Sequence, residues 1–321
     1  MWPRRLTRIS LVVAALLAVA LGVLLYLSRV TTPVTNFVNA VATPLETPDV
    51  GKVMDYPNAG DGTAVYRQAI GWVIAERSKY ERFAETGALA DFDLKKFPAV
   101  GLVLEGRRFA QAKIFTSAPE EVLSYAQEKP AVEAAAILGR ICADRVGLLL
   151  LKRKGLAEAR EHFEAALALG DRLARERLTF EELEVGLGMM GSALQGLALV
   201  EEAAGNEPRA AMLREMNQTR LALLKDRVMP RVRVLRSVDA NVVGQHAGDV
   251  LAISEGCAEK VWRDEAILGL GRMRFFIGTG RRADQRAAEG MLRKLAKDGD
   301  AVVRAGAKAG LALTVDGYRG Q

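Results

Sequence analysis

An uninterrupted apolar run near the start of the chain limits most strongly how this sequence can fold. It extends from Ile9 to Leu27 and contains no charged residue. As a helix that rises 1.5 Å per residue, it spans about 28 Å, close to the hydrocarbon thickness of a bilayer. The run therefore predicts a transmembrane helix over residues 9–28.

The arginines around this run predict its orientation. Arg4, Arg5 and Arg8 precede it, whereas only Arg29 follows closely. Basic residues are retained on the cytoplasmic side of a membrane. We therefore expect residues 1–8 to be a short cytoplasmic tail and the main domain to lie outside the cytoplasm.

A cleaved signal peptide is the alternative interpretation of the same run. Ala18, Val19 and Ala20 match an A-x-A cleavage site, and cleavage near Ala20 would give a secreted protein. The apolar run continues for seven residues beyond this site, which favours an uncleaved signal anchor.

The composition favours an all-α protein that does not bind nucleic acid. Half of the residues are apolar, only 6% are aromatic, and the abundant Ala, Leu, Glu and Arg lose little rotamer freedom in helices. Without the four N-terminal arginines, 41 basic residues face 39 acidic ones, so the net charge of +6 comes mostly from the first 29 residues. A nucleic-acid-binding domain would need a clustered basic face instead.

Residues 29–61 contain many residues that break helices. Pro33, Pro44, Pro48 and Pro57 are spread through this stretch, with glycines between and after them. The pattern predicts a linker between the membrane and the folded domain. The alternative is that part of it packs along the domain.

Start and stop residues of helices recur through a predicted helical domain, residues 62–235. A first helix is expected over about 63–86, before Gly87. Pro130 is expected to open a long helix that ends at Gly155 in a left-handed conformation.

Two further helices are expected in the second half of this domain. The capping box from Thr179 to Glu182 predicts a helix that ends at Gly205. Asn206 is placed to cap the next helix, which continues to about residue 228.

Two segments of the helical domain resemble tetratricopeptide repeats. Residues 148–174 contain a small-residue helix, a turn at Gly155, and a helix with alanines and Phe163. Residues 197–216 repeat the helix–Gly–helix layout about 50 residues later, whereas the family's usual period is 34 residues. The resemblance implies helical hairpins stacked side by side.

The C-terminal residues 236–321 contain a repeat with a period of 41 residues. The aligned pairs are Val261 with Val302, Arg263 with Arg304, Ala266 with Ala307, Gly269 with Gly310, and Leu270 with Leu311. Over about 241–314 this pattern resembles HEAT repeats, a family of stacked helix pairs. Two units are too few to stand alone, so the resemblance implies that they stack on the preceding helices in an α-solenoid-like domain.

Residues 186–191, GLGMMG, match the G-x-G-x-x-G pattern of dinucleotide-binding proteins. That site needs a strand before the glycines and an acidic residue on a second strand about 20 positions later. Here the pattern lies within an expected helix. We therefore expect no cofactor, and we expect Gly186, Gly188 and Gly191 to let helices approach closely.

Few residues suggest catalysis or metal binding. Cys142 and Cys257 are not a C-x-x-C pair, although a disulfide between them stays open for a domain outside the cytoplasm. His162 and His246 are expected on solvated helix faces. With no nucleophile elbow, P-loop or H-E-x-x-H pattern, the sequence predicts a protein without enzymatic activity, cofactor or metal.

Basic residues cluster in residues 225–236 and 272–297. The candidates for partner binding are Arg231, Arg233, Arg272, Arg274, Arg281 and Arg282. With the concave surface that stacked hairpins form, they favour a membrane-anchored scaffold or adaptor that binds a protein or peptide outside the cytoplasm. The alternative is a small-ligand receptor, or an enzyme, with a pocket between helices.

Overall fold

The computed structural model describes residues 17–23, 45–114, 125–176 and 180–230 of the 321-residue chain. It also describes residues 289, 290, 293, 294, 296, 297, 304, 308 and 311. These residues are mostly helical, with two short strands, so the predicted all-α class is confirmed.

Eight α-helices follow one another within residues 45–230. They are α1 (Thr63–Ala75), α2 (Arg77–Thr86), α3 (Pro98–Gly106), α4 (Tyr125–Arg140), α5 (Leu148–Lys152), α6 (Leu156–Glu176), α7 (Phe180–Ala203) and α8 (Glu207–Ala222). A π-helical segment, Ile141–Gly147, joins α4 to α5, and a second one, Leu223–Val228, extends α8. Short 3₁₀ turns lie at Val50–Lys52 and Leu89–Asp91.

Helix α6 is the centre of the core. Every residue from Ala165 to Ala174 is buried, because α7 packs along one side of α6 while α4 and the first π-helical segment pack on others. The Phe163 ring fills the space left by Gly147 and Gly196, where an added Cβ would collide with it. Helix α8 in turn packs on α7, so consecutive helices are neighbours in space.

A two-stranded parallel sheet ties the start of the domain to the end of α3. Strand β1 (Asn58–Asp61) pairs with β2 (Phe109–Gln111), and the register is irregular between the pairs at their two ends. The sheet brings α1 and α3 side by side, with the Tyr66 ring against Gly106. The sequence did not predict these strands, because β1 contains no β-branched or aromatic residue.

Residues 45–56, here called the strap, pack along the helical domain. Leu45, Val50, Val53 and Met54 of the strap are buried. The strap therefore follows the alternative in which part of the expected linker packs along the domain. Residues 29–44 lie outside the described part of the chain.

The helix expected over residues 63–86 is divided at Glu76, which corrects that prediction. Glu76 has φ −119° and ψ 36°, outside the helical region. The break separates α2 from α1, and Arg77 at the start of α2 pairs with Glu133 of α4 at 2.6 Å. Packing of α2 on α4 therefore overrides the continuous periodicity.

Two expectations about helix ends are also wrong. Pro130 lies inside α4, which already includes Tyr125. An interior proline removes one helix hydrogen bond and crowds the preceding turn, and the buried face of α4 from Val132 onwards offsets this cost. After α5 the left-handed residue is Lys154, with φ 63°, rather than Gly155. The Gly155 N–H closes that turn by donating to the Leu150 carbonyl at 3.0 Å.

Other helix ends match the predictions. Gly87 ends α2, and its N–H donates to the Phe83 carbonyl. Gly205 follows α7 with φ +77°, a conformation that favours glycine. The Asn206 side chain caps α8 by accepting a hydrogen bond from the Arg209 N–H.

One described helix is long and apolar enough to cross a membrane, namely Glu182–Ala203 within α7. Two thirds of its most apolar window (67%) is buried inside the protein, and α6 and α8 flank it. Core helices pass the same test of length and composition, so this is weak evidence for a span. Of the apolar N-terminal run, residues 17–23 are described; they are helical and exposed.

Only single positions of the predicted HEAT-like region are described. Residues 289, 290, 293 and 294 are helical, 296 and 297 form a turn, and 304, 308 and 311 are helical. Ala296 and Leu311 are half-buried against the hydrophobic core. The rest of the 41-residue repeat lies outside the described residues.

Candidate binding groove

The glycines of GLGMMG shape the surface on which the candidate site lies. The motif is inside α7, so the first glycine does not follow a strand as a dinucleotide site requires. A Cβ added at Gly186 would lie 2.7 Å from the Ala174 nitrogen and the Gly170 carbonyl oxygen of α6. The predicted role in close helix packing is thus confirmed for Gly186.

The other two glycines of the motif have different neighbours. A Cβ at Gly191 would lie 2.7 Å from the guanidinium carbon of Arg220, a side chain rather than a helix backbone. Gly188 has open space around it and is exposed. The packing prediction is wrong for Gly188, because this glycine faces solvent beside α4.

An open groove of about 180 Å³ lies where α4 and the first π-helical segment run beside α7. Its walls are Ala136, Gly139, Arg140 and Asp144 on one side and Val185, Gly188, Met189 and Ser192 on the other. Met189 lies directly against Gly139, so these two residues bring the helices together at the floor. The bare backbone at Gly188 leaves room above that contact.

Charged groups of opposite sign stand on one wall of this groove. Arg140 and Asp144 are exposed and one helical turn apart, and neither pairs with another charged group in the described part of the chain. Ser192 adds a half-buried hydroxyl on the opposite wall. The groove therefore offers a donor, an acceptor and an apolar floor to a bound molecule.

The π-helical segment gives this wall its shape. A π-helix is rare and is found frequently at functional sites, because its wider turn displaces side chains from the regular helical positions. Asp144 lies within this segment, and Arg140 immediately precedes it. We take the groove as the candidate site because the unpaired charges and the irregular helix coincide there.

The histidine prediction needs a correction. His162 is 6% exposed and packs edge-on against the Phe92 ring, with 5.7 Å between ring centroids, rather than lying on a solvated face. Burial lowers the pKa of His162 to about 4; Glu161 opposes this effect and Arg107 adds to it. No group of three metal-ligating side chains occurs among the described residues.

Cys142 is a free cysteine among the described residues and is fully buried. Its possible disulfide with Cys257 is not tested by the structure. Burial raises the pKa of its thiol to about 12, which makes it inert at neutral pH. His246 and Cys257 lie outside the described residues.

The six arginines predicted to bind a partner all lie outside the described residues. The structure therefore does not test whether any of these arginines lies near the groove. The groove residues were missed in the sequence, where Arg140 and Asp144 are two of four charged residues, with Glu133 and Arg145, in an otherwise small and apolar stretch between Ala131 and Leu151. Nothing in the local pattern distinguishes the two groove residues from the other two.

Comparisons with family models, with curated proteins and with solved structures find no match to this chain. Any functional proposal therefore depends on the chain's own residues.

Proposed function

We propose that this protein is a membrane-anchored, non-catalytic helical scaffold whose groove between α4 and α7 binds an extended segment of a partner protein outside the cytoplasm. The observation that carries this proposal is the groove itself, with Arg140 and Asp144 on its wall, neither of which has an ion-pair partner among the described residues. Charged groups at a binding site contribute specificity and association rate when the partner has complementary charges.

The form of the groove favours a peptide segment as its occupant. Its volume of about 180 Å³ suits one side chain of the bound segment, while Arg140 and Asp144 are placed to meet charges on neighbouring residues of that segment. Met189 and Val185 supply an apolar contact between these polar groups. The walls are helices packed on a buried core, so the groove is formed before binding.

The order of the helices supports an α-solenoid-like arrangement. Helices α4 and α5 are joined by the first π-helical segment, and α6, α7 and α8 follow as consecutive helices with three residues between each helix and the next. The half-burial of Ala296 and Leu311 against the core supports stacking of the HEAT-like residues on these helices. Arg231, Arg233, Arg272, Arg274, Arg281 and Arg282 remain a second proposed contact surface.

The N-terminal helix supports membrane anchoring. Leu17, Val19, Leu21 and Val23 are each more than half exposed, although all are apolar. An apolar helix without a polar face needs a protein core or a lipid environment around it. Anchoring through residues 9–27, with the domain outside the cytoplasm, is part of the proposal.

Photocrosslinking from the groove tests the proposal. A photoreactive amino acid replaces Ser192 in the full-length protein in native membranes, and a second variant carries it at Ser78, an exposed serine on α2. We expect a polypeptide adduct from position 192 that is not formed from position 78. Exchanging the two charges (Arg140→Asp with Asp144→Arg) keeps the net charge and is expected to abolish that adduct.

Other outcomes separate the alternatives. An adduct of small mass at position 192 would favour a small-ligand receptor. The scaffold proposal fails if both positions give the same adducts, or if the charge exchange leaves the adduct unchanged.

A further inference from the structure

A polar cluster that shares no residue with the groove joins the strap to the core. It consists of Tyr56 at the end of the strap, Tyr66 of α1, and Asp171 and Arg172 of α6. Tyr66 and Asp171 are fully buried, and Arg172 is 6% exposed. The Arg172 guanidinium carbon lies 5.0 Å from the centre of the Tyr56 ring, so the strap contacts α6 through a cation–π pair.

Part of the cluster's hydrogen-bonding capacity is used by protein groups. Arg172 donates from Nη2 to the Phe109 carbonyl oxygen at 2.6 Å, which links α6 to β2. Asp171 accepts from Arg175 Nε at 2.9 Å through Oδ1. The other oxygen, Oδ2, lies 3.8 Å from Arg172 Nη1, which is too far for a hydrogen bond.

Among the described residues, four polar atoms of the cluster are buried without a protein partner. They are the hydroxyl oxygens of Tyr56 and Tyr66, Oδ2 of Asp171 and Nε of Arg172. Arg172 lies beside both the Tyr56 ring and Asp171, and Tyr66 interacts electrostatically with all three, so the four side chains form one polar cluster. A buried polar group without a hydrogen bond is strongly unfavourable, and four in one place need a common explanation.

The chemistry of the four atoms is complementary to water. The Arg172 Nε–H only donates, the Asp171 carboxylate oxygen accepts when ionised, and each tyrosine hydroxyl does both. A buried water molecule usually makes about three hydrogen bonds to otherwise unsatisfied groups. We propose that internal water bridges these four atoms and fastens the strap to α6 and α1. This inference does not depend on the proposed function.

The sign of one stability change tests the inference. The change Tyr66→Phe removes a hydroxyl and leaves the ring that packs on Gly106. If water bridges the cluster, the loss of one of its hydrogen bonds raises the unfolding equilibrium constant about fivefold to tenfold. If the hydroxyl is buried without any partner, its removal leaves that constant unchanged or lowers it, and the inference is overturned.

Tyr80→Phe is the matched control. Tyr80 is also fully buried, and its hydroxyl accepts a direct hydrogen bond from the Ala99 N–H at 3.3 Å. Removal of the Tyr80 hydroxyl breaks this hydrogen bond, so we expect it to raise the unfolding equilibrium constant. Both variants are measured by denaturant unfolding of the full-length protein in the same detergent.

Hydrogen exchange supplies an independent measurement. We expect Tyr66→Phe to accelerate amide exchange in residues 45–56, because the bridge holds the strap. Tyr80→Phe leaves strap exchange at the wild-type rate. Equal strap exchange in the wild type and in Tyr66→Phe would contradict the bridge even if stability changed.

Discussion

Whether a single residue of this protein is needed for packing depends on the atoms within a few ångströms of it. Gly186 and Gly188 are two positions apart in the same motif and the same helix. Gly186 touches the backbone of α6, whereas Gly188 has open space. The sequence pattern alone does not distinguish them, because only the direction in which each residue points decides which one is needed for packing.

Replacing each of these glycines by alanine should give opposite results. Gly186→Ala places a methyl group against backbone atoms of α6 that cannot move independently, so we expect destabilisation of about 1–3 kcal/mol. Gly188→Ala adds a better helix former at an open position and should stabilise by about 0.5–1 kcal/mol. Unfolding free energies of the two variants, measured side by side, check this prediction. Equal effects would contradict the close contact between α6 and α7.

The buried His162 predicts a pH-dependent loss of stability. Its folded-state pKa of about 4 is below the ordinary value of 6.5, because burial disfavours the charged ring. The neutral ring therefore contributes full stability above about pH 6.5, and this contribution is lost as the pH falls through 4. At pH 5 the loss should be about 2 kcal/mol.

Comparison with His162→Gln isolates this effect from the other titrating groups. Burial raises the pKa of both Asp171 and Glu164, so their contributions have the opposite sign and remain in both proteins. The stability difference between wild type and variant should shrink between pH 7.5 and pH 5. A difference that stays constant would show that His162 titrates as an exposed residue.

At the scale of helices, ion pairs determine how the long helices are held at their ends. Glu201, near the end of α7, is 2% exposed and accepts from Arg160 of α6 at 2.8 Å and from Arg209 of α8 at 3.1 Å. Asn206 donates to its other oxygen at 3.1 Å, and Arg209 also donates to the Val53 carbonyl of the strap at 3.0 Å. One carboxylate thus joins three helices, and one of its arginines reaches the strap.

Removing that carboxylate should loosen the whole junction. Glu201→Ala leaves two arginines and an amide without their acceptor, and we expect a destabilisation of about 2–3 kcal/mol. Glu184→Ala, at an exposed position of the same helix, should change stability by less than about 0.5 kcal/mol. Thermal and denaturant unfolding measure both variants. Similar values for the two would show that the Glu201 junction does not hold the helices together.

The local sequence predicts the ends of helices well where nearby residues determine them. Gly205 and Asn206 mark the turn between α7 and α8 because their conformations and side chains act within three residues. The break at Glu76 and the π-helical segments depend on packing against distant helices, so no local pattern reveals them. The groove was missed for the same reason, since Arg140 and Ser192 come from helices that are about 50 residues apart.

At the scale of the whole molecule, the strap extends the folded domain towards the N-terminus at least as far as residue 45. A linker was expected through residue 61, but the buried Leu45, Val50, Val53 and Met54 belong to the core. If the membrane helix ends near residue 28, about 16 residues remain to join it to the strap. Even when fully extended, 16 residues span at most about 55 Å, so under the proposed anchoring the domain should stay close to the bilayer.

Two truncations test this boundary. A protein that begins at residue 45 retains the strap and should unfold cooperatively. A protein that begins at residue 62 lacks the four buried side chains and should lose on the order of 5 kcal/mol or more. Circular dichroism during thermal unfolding compares them. Equal melting temperatures would show that the strap is not part of the core.

The central claim is that an occupied groove lies outside the cytoplasm, and the labelling of one engineered thiol tests it most directly. Ser192→Cys and Ser78→Cys are made in a full-length background with Cys257→Ser, since Cys142 is buried. Each is treated with a membrane-impermeant maleimide in sealed cells, and as purified protein. We predict that both thiols react with the reagent from outside the cell. The thiol at position 192 should react more slowly in the native membrane than after purification, whereas the rate at position 78 should be the same in both. Labelling of both only after the membrane is permeabilised would contradict the orientation, and an unchanged rate at position 192 would contradict an occupied groove.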